Sequence, residues 1–206
     1  MEEQIEFSKK TDYENYFYGI INDVDKHLHK NSINAFYKGT ERQCKIIKCP
    51  NLSGTNSLAY SLRDVSRSNF VRLKHWDVSN IIDFTGCFEG NVSVNSRMIK
   101  HWDVSNGLYF RDMFRDSCDC DDEFHNGFKY LRNWDCSKGL IYDGMFNIKP
   151  DSFGYEAMNY EAISHIKVNP KGSFTSCFWT LSKEDAEHFR NWFPDMDIRD
   201  IILKVT

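Results

Sequence analysis

The densest run of metal-ligating side chains is Asp116, Cys118, Asp119, Cys120, Asp121, Asp122, Glu123 and His125. Thiolates with imidazoles select zinc, and carboxylate-rich loops select calcium. The spacing fits neither: it holds no Cys-x-x-Cys pair and no calcium loop with a central Gly and a terminal Glu. The run reads as a solvated acidic loop, and no metal or cofactor is expected. His75, His101 and His165 invite a catalytic reading, but they share one position of a repeating pattern in which Asn133 fills the remaining slot. A ladder of polar corner residues explains them without catalysis. No Walker or dinucleotide glycine loop is present. Acidic pairs are plentiful, yet their spacing places no two across a cleft, and no Ser-His-Asp set stands out. The chain therefore reads as non-enzymatic.

The elements that position these residues come from an internal repeat. His75-Trp76-Asp77-Val78-Ser79-Asn80, His101-Trp102-Asp103-Val104-Ser105-Asn106 and Asn133-Trp134-Asp135-Cys136-Ser137-Lys138 align directly. Twelve positions after each tryptophan stands Phe88, Phe114 or Phe146, preceded by Cys87, Met113 or Met145. Eight positions after it stands Phe84, Phe110 or Tyr142, and three before it Leu73, Ile99 or Leu131. Two degenerate copies extend the series. One is centred on Ile166, with Ile163, Phe174, Cys177 and Phe178 in register; the other is centred on Pro50, with Ile47, Leu58 and Leu62. The five copies start near residues 47, 73, 99, 131 and 163, spaced 26, 26, 32 and 32 apart.

Such a unit is too small to enclose a core, so the expected fold is an α+β repeat, a solenoid of about five stacked units of 26–32 residues. The structural ladder is Trp76, Trp102, Trp134, Phe88, Phe114, Phe146 and Phe178. The aliphatics before each tryptophan suit a short strand, and the two aromatics four apart suit one helical turn. Asp and Ser just after the tryptophan suit the corner between them, because their side chains bond nearby N–H groups.

The pattern Trp-Asp-Val-Ser…Phe…Cys/Met-Phe resembles the BspA-like leucine-rich repeat family. Trp76, Asp77, Val78, Ser79, Phe84, Cys87 and Phe88 carry the resemblance, as do Trp102, Asp103, Val104, Ser105, Phe110, Met113 and Phe114. It covers roughly residues 47 to 180 and implies a leucine-rich-repeat-like solenoid used for protein contact, often on cell surfaces. A fainter resemblance, to mono-ADP-ribosyltransferases, rests on Phe36-Tyr37-Lys38-Gly39-Thr40 and Phe174-Thr175-Ser176. There Lys38 replaces the family's Arg, Cys177 replaces its second Ser, and no Glu-x-Glu pair follows. A degenerate transferase is therefore the lesser alternative.

Repeat arrays need caps. Tyr16, Phe17, Ile20, Ile21, Val24 and Leu28 fall at helical spacing, so residues 1–46 read as a mainly helical N-terminal cap. Residues 47–180 form the array. Residues 181–206 form a second cap, a helix from Ser182 ended by Pro194 and then a strand over 198–205. The whole is one continuous structural domain. The longer spacings arise from insertions after Phe114 and Phe146, and per-repeat insertions gather on one rim, often the binding rim. Asp119, Asp121, Asp122 and Glu123 of the first, with Asp151 and Tyr155 of the second, are the candidate protein-binding residues.

The composition fits this reading. The chain has 206 residues, a net charge of −4, 41% hydrophobic and 15% aromatic residues, and only 4 prolines, which excludes disordered and collagen-like classes. The acidic balance argues against direct nucleic-acid binding. No apolar run approaches a membrane span, and Met1-Glu2-Glu3-Gln4-Ile5-Glu6 lacks the features of a secretory signal, so a cytoplasmic location with reduced thiols is expected. The expected role is an intracellular protein-binding module, an effector or inhibitor that blocks a host protein complex, such as a phage or viral anti-defence factor. Its partner would be a protein with a basic surface. The alternatives are a structural or assembly subunit and a cell-surface adhesin-like protein.

Overall fold

The computed structural model describes residues 4–5, 49–50, 52, 54–62, 73–91, 94–119, 127–149 and 158–205. The expected helix over residues 13–30 lies outside them. Gln4–Ile5 (β1) pairs in parallel with Cys49–Pro50 (β2), and Asp135–Cys136 (β3) pairs in parallel with Lys167–Val168 (β4).

Before each tryptophan slot the chain closes a helical turn. Trp76, Trp102, Trp134 and Ile166 donate their N–H groups to the carbonyls of Leu73, Ile99, Leu131 and Ile163 over 2.8–3.1 Å. These turns end Ser96–Ile99 (α1), a 3₁₀ turn at Lys129–Leu131 and Tyr160–Ser164 (α2). The aliphatics three before the tryptophan thus sit at helix ends and not in strands. Positions three apart share one face of a helical turn, whereas a strand's period of two separates them.

The parallel pairing comes after the tryptophan. Single bridges join Ser57 to Asp83, Asp83 to Tyr109, Tyr109 to Ile141 and Ile141 to Ser173. Beyond them the amides alternate. Phe84, Gly86, Phe88 and Gly90 donate to Tyr109, Arg111, Met113 and Arg115 of the next copy, at 2.8–2.9 Å. The intervening Cys87, Glu89 and Asn91 donate to Phe84, Gly86 and Phe88 of their own copy, at 3.0–3.1 Å. A regular helix spends every amide internally; here about half of them tie one copy to the next. The alternation coincides with a left-handed residue ten places after each tryptophan slot: Tyr60, Gly86, Asp112, Gly144 and Ser176, with φ from 51° to 65°.

This register stacks like rings on like. Phe84, Phe110, Tyr142 and Phe174 form one nearly parallel series, with centroids 5.5, 5.7 and 4.6 Å apart. Phe88, Phe114, Phe146 and Phe178 form a second, at 5.4, 5.5 and 6.0 Å. Each such pair contributes about 0.5–1.5 kcal/mol beyond the area it buries. Trp76 stacks on Trp102 at 6.2 Å, and Trp134 is buried against Phe114.

The C-terminal segment continues the register. Trp192 lies 26 residues after Ile166, and its N–H meets the carbonyl of Phe189, the residue three before it. Lys183–Glu187 (α3), capped by the Ser182 hydroxyl on the Asp185 N–H, and a 3₁₀ turn at His188–Asn191 precede it, as helical turns precede the other slots. The expected closing strand is instead a helix, Ile198–Val205 (α4). Its β-branched residues suggested a strand, but Ile201 and Val205 are four apart and both buried, a helical spacing. The carbonyl of Val205 receives the Phe178 N–H at 3.4 Å, the place a further copy would take.

Candidate functional site

The insertion rim is described only at its roots. Asp119 is 4% exposed, which removes it from the binding surface. Its carboxylate accepts the Ser96 N–H at 2.9 Å, the Ser96 hydroxyl at 2.6 Å and the Phe128 N–H at 2.8 Å. It therefore ties the two ends of the first insertion together and fastens them to the start of α1. At the far end, Gly127 (φ 51°) accepts the Asn159 N–H at 3.3 Å, and a Cβ there would collide with that nitrogen. The two insertions thus re-enter the fold side by side. Asp121, Asp122, Glu123, Asp151 and Tyr155 lie outside the described residues. Among the described residues no group of three His, Cys, Asp or Glu is placed to hold a metal ion.

The ladder residues Trp76, Trp102, Trp134, Phe88, Phe114, Phe146 and Phe178 are all interior. Cys87, Cys118, Cys136 and Cys177 are free and buried, and desolvation pushes the thiols of Cys87, Cys136 and Cys177 up, away from reactive thiolate. The Tyr142 hydroxyl donates to the Cys136 carbonyl at 2.5 Å and accepts the Asn169 N–H at 3.0 Å, so it fastens a corner. His75, His101 and His165 stand exposed along one edge.

The bridged face carries the residues that differ from a plain scaffold. Six places after the tryptophan stand Ile82, Leu108 and Leu140, and seven places after it Tyr109 and Ile141. Leu140 is 48% exposed and Tyr109 36%; Ile82, Leu108 and Ile141 are half-buried. The bridges hold neighbouring copies at the spacing of adjacent strands, about 4.8 Å, so these side chains form one contiguous apolar strip. Beside it Arg111 pairs with Asp143 at 3.3 Å, and Arg115 lies 3.8 Å from Asp112 and 3.7 Å from Asp116. Asp143 also accepts the Ser173 hydroxyl at 2.5 Å and the Thr175 N–H at 2.9 Å. Burial raises the Asp112 carboxyl above the usual range, opposed by Arg115 and Arg111. This strip was missed from sequence. Its signal was present: a recurrent aliphatic at a place that the inward positions on either side leave pointing out.

Residues 56–183 match the family model described as Mycoplasma protein of unknown function, DUF285, and the chain belongs to that family. No curated protein and no solved structure matches it. Among the described residues no helix is long and apolar enough to cross a membrane.

Proposed function

We propose that this chain is a non-enzymatic, cytoplasmic protein-binding module, built as a leucine-rich-repeat-like solenoid of the BspA-like kind. The register of bridges and ring stacks supports the solenoid reading. The observation that carries the binding reading is the strip of exposed Tyr109 and Leu140 flanked by half-buried Leu108 and Ile141; among the described residues the other exposed large apolar side chains, Trp179 and Leu203, stand apart from it in sequence and outside the repeat positions that form it. Exposed aliphatic and aromatic side chains in register are the usual anchors of protein interfaces, with charged pairs at their rim. The role is that of an effector or inhibitor, which blocks a host complex by occupying its contact surface.

The test compares the intact chain with Leu140→Lys and Tyr109→Ala as baits in a host lysate. A stoichiometric protein partner should be retained by the first and lost from both variants, with circular dichroism unchanged. Equal capture by all three would move the site elsewhere. NAD turnover by the purified chain with no partner would replace the reading with the transferase.

A further inference from the structure

We infer that the helical flank of the three central copies is a second contact surface, built to take an extended acidic segment of a protein. Two places before each tryptophan stand Lys74, Lys100 and Arg132, all exposed. Five places before it stand Arg97, exposed, and Lys129, whose ammonium lies 5.0 Å from the centre of the Tyr130 ring. α1, the 129–131 turn and α2 pack successively, and the Trp102 and Trp134 ring N–H groups donate to the carbonyls of Leu73 and Ile99 in the preceding copy, so these cations follow one another along one flank. Among the described residues, Lys74, Lys100 and Arg132 form no ion pair. The ridge stops with the copy centred on Trp134: the next copy places buried Ser164 and the acidic Glu161 at these positions. It therefore spans the same copies as the apolar strip, in a chain of net charge −4.

What lies beside the ridge selects the partner. One place after each tryptophan stand Asp77, Asp103 and Asp135, each accepting the N–H of Ser79, Ser105 or Ser137 at 3.0–3.1 Å. Two opposite stripes thus run side by side. A broad polyanion such as a nucleic acid or an anionic membrane would meet the acidic stripe along with the basic one, and like charges in apposition are costly. A narrow chain can lie on the basic stripe alone. An extended peptide also presents its side chains at a repeat within reach of such a ridge, judged from the spacing of neighbouring copies elsewhere. Adjacent copies are separated by about 4.8 Å where their backbones are bonded and by 6.2 Å at the Trp76 and Trp102 rings. Alternate side chains of an extended peptide repeat at about 6.7 Å, a mismatch that long Lys and Arg stems absorb.

Fluorescence anisotropy with the full chain tests this. The probes are a labelled peptide of alternating Glu and Ser, a labelled oligothymidine, and vesicles containing phosphatidylserine. The peptide should bind, and its affinity should fall roughly tenfold or more between low and physiological salt. K74E/K100E/R132E should abolish binding, and the milder K74Q/K100Q/R132Q, with its fold checked by circular dichroism, should weaken it strongly. D77N/D103N/D135N should let the oligonucleotide bind as well. Absence of peptide binding, unchanged binding by the glutamine variant, or tighter binding of oligonucleotide or vesicles to the unaltered chain would each overturn the proposal. The apolar-strip variants leave this ridge untouched, so the two surfaces stand or fall separately.

Discussion

At the scale of single residues, the left-handed place ten after each tryptophan slot sorts its occupants by cost. Gly86 and Gly144 hold it without a Cβ penalty, Asp112 at a modest one, and Tyr60 and Ser176 against their preference. A Cβ at Gly144 would also collide with the Asp112 carboxylate. Gly144→Ala should therefore destabilise by about 1–3 kcal/mol in urea unfolding, while Asp112→Gly should be neutral or stabilising by up to about 1 kcal/mol. Asp119 presents a different case, because its carboxylate serves two N–H groups and a hydroxyl in a buried place. Asp119→Ala strands those donors and should cost about 2–5 kcal/mol, with Asp119→Asn less severe. A midpoint unchanged from the parent would mean that water replaces the carboxylate there. Nothing local distinguishes Asp119 from Asp121 and Asp122 in sequence, since its burial depends on Ser96 and Phe128. The ladder residues were legible because each repeats in register, and Asp119 was not because it occurs once.

Among elements, the helical turns lie before the tryptophans and the parallel bridges after them, the reverse of the strand-then-turn order expected from the spacing. Leu73 and Trp76 three apart, and Phe84 and Phe88 four apart, both satisfy a helical face, so periodicity alone does not decide which segment turns and which pairs. The decision rests on where the amides go, and the left-handed residue between Phe84 and Phe88 sends alternate ones to the next copy. The Asp-x-Ser corner was read correctly as a local turn, and it has a measurable signature. Side-chain and then backbone bonds from Ser79 and Ser137 hold the Asp77 and Asp135 carboxyls below the ordinary value of 3.8. A carboxyl whose folded value is depressed adds stability that is complete above the unfolded value and is lost as pH falls through the folded one. Stability should hold from neutral pH down to about 4 and then decline. Asp77→Asn/Asp135→Asn should flatten that decline and lower the neutral midpoint by the same increment, which is small because both corners are exposed. An unchanged acid limb in the double variant would assign the decline to other carboxyls.

For the molecule as a whole, the proposed solenoid has a thermodynamic consequence set by its ends. Each copy touches its neighbours, so stability approximates a sum of copy and interface contributions, and damage at one end need not reach the other. The C-terminal end is sealed by α4: Val205 is fully buried, its carbonyl takes the Phe178 N–H, and Lys204 lies 5.4 Å from the Phe174 ring and 5.0 Å from the Phe193 ring. Val205→Asp would set a charge against the last ring of the stack, and the cost of burying it should release α4 before anything else. Amide exchange should then accelerate first at Phe178 and Cys177, next at Phe146 and Gly144, and last at Phe88 and Gly90, whose partners lie in the copy centred on Trp102. Bared Phe174 and Phe178 should also make this variant self-associate with concentration, which light scattering would register. A uniform acceleration at every amide would mean that the continuous ring stacks couple the copies into one cooperative unit. The nearest-neighbour description would then fail for this chain, even with its bridges intact.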